Sequence, residues 1–371
     1  MKVLFRADAS VEMGSGHIVR CLTLADSLRE KKAVCEFVCR ETKGNLIDLI
    51  ESKGYRVYVL PPISIEEHKS CNSADAGVYC WWLDAKETKD VVGVDSFYDW
   101  VVVDHYALDE NWEGLIKPVC NRLMVIDDLA NRRHDCDLLL DQNYYKNSLQ
   151  RYLGLLPPHC TCLLGPSYVL LRQEFVDAKN NLHLRDGTIK RILVFFGSSD
   201  PTNETNKVLM AIKELSLDTI EVDVVVGAAN PHRYQIQMVC NTISNVNYYC
   251  NISNMAELIL RADIGIGAGG SSIWERCYLG LPSITSIIAS NQIETTEDVA
   301  SLGAIDYLGC SKILNSDNYA SALLRAITNP NHVKLISFKA LSLVNGVGTP
   351  TVVDVMWKML GINVSRFSTP T

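Results

Sequence analysis

Two glycine-rich loops, each placed between an apolar run and a helical pattern, hold the residues whose types and spacing suit chemistry. The first is Gly14-Ser15-Gly16-His17. Glycines there permit close backbone approach, and a helix start presents free N–H groups and a positive dipole end, a setting that suits phosphate. The spacing is not the dinucleotide fingerprint, because Val19 stands where a third glycine is needed. His17 is either a surface or capping histidine or a general base, and it is an unusual cap beside the preferred Ser, Thr, Asp and Asn. The positive end of a helix disfavours imidazolium, so a histidine there suits proton acceptance at neutral pH. Arg20, one turn on, is placed to meet an anion or to pair with an acid.

The second loop covers residues 265–272, Gly265-Ile266-Gly267-Ala268-Gly269-Gly270-Ser271-Ser272, followed by Ile273-Trp274-Glu275. It is either a tight turn packing strand on helix or a diphosphate cradle in which Gly269, Gly270, Ser271 and Ser272 offer hydroxyls and backbone N–H groups. Glu275, inside the following helix, is placed to accept two ribose hydroxyls. Asn291-Gln292 at another helix start offers amides to sugar hydroxyls or a water, or simply caps the helix.

Three further polar clusters end apolar runs: Asp104-His105-Tyr106, Asp127-Asp128 with Arg132, Arg133 and His134, and Asp141-Gln142-Asn143-Tyr144. Each lines a site or caps the next turn. The Asp127-Asp128 and Arg132-Arg133 pairs read as an ion-pair network rather than a divalent-cation site, because no ligand pattern accompanies them. His68, His159, His183, His232 and His332 sit in no motif and receive no role.

The elements that must position these loops alternate. Strand signals fall at residues 3–7, 33–39, 55–60, 100–104, 123–127 and 137–140, with helical patterns at 17–32, 45–53 and 109–119. After a polar stretch at 177–188, the most apolar strand, residues 191–196, restarts the alternation through residue 301. Strands alternating with helices imply parallel sheets covered on both faces. The expected class is therefore α/β, with two doubly wound, Rossmann-like domains and an interdomain cleft: 1–176, a linker at 177–188, 189–363 and a tail at 364–371. In such sheets ligands bind beyond the carboxyl ends of the strands.

Composition narrows the partners. The 371 residues carry 35 Lys+Arg against 43 Asp+Glu, a net charge of −8, which gives no general attraction to nucleic acid or to anionic lipid. The 13 cysteines are irregularly spaced and read as small buried thiols of a reducing, cytoplasmic setting. Lys2, Arg6, Asp8 and Glu12 near the start do not suit a secretory leader, and no apolar run is long enough to span a membrane.

With these residues assembled, the chain resembles the UDP-2,4-diacetamido-2,4,6-trideoxy-β-L-altropyranose hydrolases of pseudaminic acid biosynthesis, within the MurG-like, glycosyltransferase-B group. The resemblance runs from residue 6 to residue 292. It rests on Arg6-Ala7-Asp8-Ala9-Ser10, Gly14-Ser15-Gly16-His17 with Arg20-Cys21-Leu22, Val103-Asp104-His105-Tyr106, Ile126-Asp127-Asp128-Leu129, Asp141-Gln142-Asn143, Leu170-Leu171-Arg172, the glycine turn with Trp274-Glu275-Arg276-Cys277, Gly280-Leu281-Pro282 and Asn291-Gln292. It implies hydrolysis at the anomeric carbon of a UDP-linked diacetamido sugar, with inversion and without metal or cofactor. It also implies His17 as the base, Asn291 and Tyr106 as active-site polar residues, and Gly270, Ser271, Ser272 and Glu275 as the UDP-binding turn and ribose acid. Relatives often carry Gly-Gly where this chain has Gly197-Ser198-Ser199-Asp200, which narrows the space for the sugar. A UDP-sugar-dependent glycosyltransferase and a non-catalytic UDP-sugar-binding protein use the same turn. The sequence leaves the oligomeric state open.

Overall fold

The computed structural model describes residues 1–63, 80–93 and 95–361. His68 and the expected tail at 364–371 lie outside the described residues. The chain divides into two units. Unit 1 holds Met1–Asn143, Asn147–Leu170 and the segment that starts at Val347; unit 2 holds Tyr144–Lys146 and Leu171–Gly346.

Unit 1 is built on strands β1 (Lys2–Ala7), β2 (Val34–Arg40), β3 (Arg56–Leu60), β4 (Tyr98–Asp104), β5 (Cys120–Ile126), β6 (Leu138–Asp141) and β7 (Thr161–Leu164), in the order β3-β2-β1-β4-β5-β6-β7. Every pairing is parallel. The connecting helices include α1 (Gly16–Glu30), α2 (Ile47–Ser52), α3 (Trp81–Val92), α4 (Glu110–Ile116) and α5 (Ser148–Arg151). Successive strand residues point to opposite faces, so both faces need apolar cover. Phe5, Trp100, Val102 and Met124 pack with Ile18, Cys21 and Leu28 of α1, while Leu4, Val101, Val103 and Leu123 pack with Ala85 of α3 and Trp112 of α4.

Unit 2 repeats the plan with α6 (Gln173–Ala178), β8 (Arg191–Phe195), α7 (Glu204–Glu214), β9 (Glu221–Val226), α8 (Arg233–Cys240), β10 (Val246–Cys250), α9 (Met255–Arg261), β11 (Ile264–Ala268), α10 (Ser272–Tyr278), β12 (Ser283–Ile287), α11 (Ile293–Ser301), β13 (Asp306–Cys310), α12 (Ser316–Thr328) and α13 (Pro330–Leu341). Its parallel sheet runs β10-β9-β8-β11-β12-β13. Ile192, Val194, Val224 and Ile266 form one face of its core with Val208 and Leu209 of α7 and Leu323 of α12.

The expected division of the chain differs from this one: Tyr144–Lys146 and residues 171–176 belong to unit 2, and two larger differences have a physical reason in the packing. The last helix, α14 (Gly348–Met359), returns to unit 1. It buries Val352, Val353, Met356 and Trp357 in the unit 1 core, and Trp100 Nε1 donates to the Met356 carbonyl at 3.3 Å. Four apolar side chains at about 1.5–3 kcal/mol each make that docking far more favourable than leaving them in water. The polar stretch at 177–188 is docked on unit 2 rather than a free linker. Arg185 donates to the carbonyls of Ile259 in the last turn of α9, Ala262 just after α9 and Leu279 just after α10, and Lys179 donates to the Tyr278 carbonyl.

Candidate active site

In both sheets the connection reverses direction between the first strand and the fourth in chain order, β1 beside β4 and β8 beside β11. Loops part there, and the gap beyond the strand ends is where open α/β sheets bind ligands. The two glycine loops found in the sequence follow β1 and β11, so each sits at its own sheet's switch point.

In unit 1, Ala7 pairs with Asp104 at the ends of β1 and β4. The loop from Asp8 to Ser15 closes on itself through Gly14 N–H to the Ser10 carbonyl at 2.8 Å, with Gly14 at φ 77°, a backbone state that suits glycine. Helix α1 begins at Gly16, with Ser15 at the cap position and no side-chain cap bond. His17 is therefore the second residue of the first turn, not the cap. It is buried, and its Nδ1 lies 2.5 Å from Asp104 Oδ1. Burial alone would raise the Asp104 carboxyl, but the Arg20 guanidinium and His17 hold it well below the usual carboxylate range. An ionised carboxylate only accepts, so the neutral imidazole carries its hydrogen on Nδ1 and its lone pair on Nε2. Among the described residues Nε2 has no hydrogen-bond partner. The Tyr106 ring stands edge-on to the imidazole, with centroids 4.5 Å apart at 82°.

Arg20 takes the acid of its two expected options. Its Nε and Nη2 donate to Asp104 at 2.5 and 2.6 Å, and its Nη1 reaches Asp128 at 3.3 Å. A bidentate pair of this kind fixes the carboxylate that orients His17.

Beneath the loop lies a buried network that sequence reading did not assemble. Arg6 donates to Asp8 at 2.6 and 2.9 Å and to Asp84 at 3.0 and 2.6 Å. Asp84 also accepts from Arg40 at 2.7 Å and from Trp112 Nε1 at 2.9 Å. The Asp8 carboxylate accepts from the Arg40 backbone N–H at 2.7 Å and stands 3.3 Å from His105 Nε2. Burial would raise Asp8, yet Arg6 and His105 hold it well below the usual range, while burial lowers His105, which accepts from Ala107 N–H through Nδ1. The network ties β1, β2, α3, α4 and the end of β4 together, and so fixes both loops of the switch point. Asp84 reads as one of many charges on a polar helix face; only its complete burial marks it out.

The Asp127 and Asp141 clusters end β5 and β6 as expected and are ion-paired: Asp127 with Arg132 at 2.8 Å and Asp141 with Arg151 at 2.9 Å, with Tyr152 Oη within hydrogen-bond distance of both side chains, at 3.1 and 3.0 Å. Among the described residues no cluster of three or more His, Cys, Asp or Glu side chains is arranged to hold a metal ion.

In unit 2 the glycines of the turn divide their tasks. A Cβ on Gly267 would lie 2.2 Å from the Phe195 carbonyl oxygen, and one on Gly269 would lie 2.1 Å from Thr296 Oγ1. Both glycines serve close packing rather than open space. Gly270 borders Gln292, whose Nε2 would stand 3.4 Å from an added Cβ and whose Oε1 accepts from Ile288 N–H at 3.1 Å. Ser271 holds the cap position of α10 without a side-chain cap bond, and Ser272 Oγ accepts from Arg276 Nη1 at 3.0 Å. Glu275 accepts from Arg172 at 3.0 and 3.2 Å, a partner the sequence motif contained without assigning it. Ser272, Glu275 and Arg276 line a small pocket with Leu193, Phe195, Met255, Ile259 and Ile266. Asn291 is exposed, in a short 3₁₀ turn of residues Ser290–Gln292 just before α11. After β8, Ser198 packs its backbone where a Gly227 side chain would be, and Asp200 caps α7 by accepting from Glu204 N–H and Thr205 N–H at 2.9 and 3.0 Å.

Residues 191–330 match the glycosyltransferase family 28 C-terminal domain. The chain is 29% identical over 304 residues, 82% of its length and 97% of the relative's, to the UDP-2,4-diacetamido-2,4,6-trideoxy-beta-L-altropyranose hydrolase of Campylobacter jejuni. It is 26% identical over 300 residues to the uncharacterized protein MJ1062 of Methanocaldococcus jannaschii, of whose length it spans 57%. The crystal structure of Acinetobacter baumannii MurG superposes with a TM-score of 0.64 at 13% identity, covering 96% of this chain and 99% of that one. The chain therefore has the α/β fold of MurG, built in two units. The match to the family 28 domain lies in unit 2, and the likeness to the hydrolase runs through both units. No helix among the described residues is long and apolar enough to cross a membrane.

Proposed function

We propose that the protein hydrolyses a UDP-linked diacetamido sugar, with unit 2 holding the nucleotide and unit 1 supplying the base. One observation carries the reading: the imidazole of His17 is held through Nδ1 by a buried, ionised Asp104, leaving Nε2 as a lone pair at a switch point. The relative of Campylobacter jejuni, named as such a hydrolase, supports the substrate class.

Nε2 of His17 takes a proton from water, the water oxygen bonds to the anomeric carbon, and the bond from that carbon to the diphosphate oxygen breaks, its electron pair leaving with UDP. UDP is a good leaving group once donors meet its charge; Ser271, Ser272 and the backbone of the glycine turn have that role, and Glu275 accepts the ribose hydroxyls. Asn291, Gln292 and Tyr106 are assigned to the sugar and the attacking water. Gly14, Ser15 and Gly16 are assigned to a substrate group near the base, and Arg20 to holding Asp104. Attack from the face opposite UDP inverts the anomeric centre, and no metal takes part.

Turnover in ¹⁸O-water tests the reading. Label on C1 of the released sugar is expected, and label on UDP refutes attack at the anomeric carbon. The first-formed anomer, read by NMR, has the inverted configuration, and rates persist in EDTA. His17→Phe lowers the rate roughly 10²–10⁴-fold, the usual worth of a general base. The family 28 domain favours one second reading, transfer to an acceptor. UDP release that requires an added acceptor establishes transfer, and binding of UDP-sugar with no turnover leaves only a binding protein.

A further inference from the structure

Most buried guanidiniums in this chain meet carboxylates: Arg6 meets Asp8 and Asp84, Arg20 meets Asp104, and Arg40 meets Asp84 and Glu87. Arg185 has instead the carbonyls that end helices, where the dipole is negative. Arg276 has neither. It is 4% exposed and forms no ion pair among the described residues. Its Nε donates to Ser283 Oγ at 3.1 Å, its Nη1 to Ser272 Oγ at 3.0 Å and its Nη2 to the Ala268 carbonyl at 2.9 Å. Strand β11 is shaped around it. A Cβ on Gly265 would stand 3.2 Å from Arg276 Cδ, and one on Gly267 would stand 3.2 Å from Nη1. Burial pulls its pKa down to about 10, so it is still a cation at neutral pH.

A buried cation without an ion-pair partner is costly; the neighbouring Glu275 carboxylate raises the Arg276 pKa but is itself held by Arg172, so an arriving anion would stabilise the cation further. The Ser272 hydroxyl gives the direction. Its oxygen accepts from Arg276, and among the described residues its proton is donated to nothing. The guanidinium thus turns that O–H outward as a donor.

We propose that Arg276 is the positioning residue of the diphosphate site: its charge lies beneath the glycine turn, and its grip on Ser272 presents the hydroxyl to the anion. Arg276 itself touches no ligand. The proposal rests on the reading of this turn as the diphosphate site.

Calorimetry with UDP, uridine and inorganic pyrophosphate, on the full chain and on Arg276→Gln and Arg276→Lys, tests it. Removing the charge weakens UDP and pyrophosphate roughly 10–100-fold while uridine is unchanged, as expected for hydrogen bonding to a charged group. Lysine keeps the charge and recovers part of the loss. If Arg276→Gln weakens uridine as much as UDP, the role is merely structural and the proposal falls; it falls equally if UDP binding is unchanged. Should Arg276→Gln fail to fold, Ser272→Ala carries the same comparison, because it keeps the cation and removes the outward donor together with the acceptor of Arg276 Nη1; unchanged UDP affinity there refutes the proposal. A wild-type protein that binds neither UDP nor pyrophosphate overturns the reading of the turn itself, and this proposal with it. Wild-type binding with unaffected variants overturns this proposal alone.

Discussion

Asp104 is the point at which stability and chemistry in unit 1 can be separated. Its carboxylate is fully buried and accepts from Arg20 at 2.5 and 2.6 Å and from His17 Nδ1 at 2.5 Å. Asp104→Asn keeps the shape but removes the charge, leaving Arg20 with Asp128 at 3.3 Å as its remaining partner. Breaking a buried pair from one side costs about 3–5 kcal/mol, because the other charge stays in the interior. The remaining Asp128 contact puts the expected loss near the lower end, about 3 kcal/mol. Adding Arg20→Met removes the stranded charge, so the double variant is expected to lose less than the sum of the singles, by roughly 1–3 kcal/mol of coupling. Urea unfolding followed by tryptophan fluorescence reads this, because Trp100 and Trp112 are both fully buried in unit 1. The pH dependence has a definite sign. Asp104 is held well below its usual 3.8, so its contribution is fully present above about pH 4 and is lost as pH falls through the folded value. Wild type and Asp104→Asn therefore converge in acid. An Asp104→Asn variant within about 0.5 kcal/mol of wild type at pH 7, or strictly additive singles, refutes the reasoning.

Three further outcomes follow from the packing. Gly269→Ala puts a methyl 2.1 Å from Thr296 Oγ1 and is expected to cost about 1–3 kcal/mol; Thr296→Ala, whose lost hydroxyl has no hydrogen-bond partner, is expected to relieve it, and a double variant no better than the single refutes the clash. Met356→Ala in α14 is expected to lose about 2–5 kcal/mol in chemical denaturation and to shift the emission of Trp100, whereas no loss means that the helix is not part of the unit 1 core. Burial, followed by the charge of Asp128, pushes the Asp141 carboxyl up to about 7. The folded state then binds the extra proton, so stability declines as pH rises from about 4 to about 7, and Asp141→Asn flattens that decline; parallel profiles for the two proteins refute the assignment.

The strand and helix alternation was legible because parallel strands buried on both faces read as continuous apolar runs such as Val101-Val102-Val103 and Ile192-Leu193-Val194. The loops worth inspecting were legible for the same reason, since each follows such a run. Pairing was not legible. His17 and Asp104 are 87 residues apart, and Arg6 and Asp84 are 78 apart, so nothing local marks them as partners. The glycines of the second loop showed that something comes close, but not that Phe195, Arg276 and Thr296 are what comes close. The destination of α14 was hidden because an apolar helical face states that it needs a core, not which core.

The two switch points treat buried charge in opposite ways, and the difference argues for the division of roles proposed above. In unit 1 each guanidinium near the loop, Arg6, Arg20 and Arg40, is paired with a carboxylate in place. A site that must accept a proton from water gains from this, because its field is already balanced and His17 answers chiefly to one fixed carboxylate. In unit 2 the guanidinium under the turn is left without one. Glu275, the acid beside it, pairs with Arg172 instead; an ion pair of its own for Arg276 would cancel the charge that an incoming diphosphate has to meet, so the same balancing that serves a base would weaken an anion site.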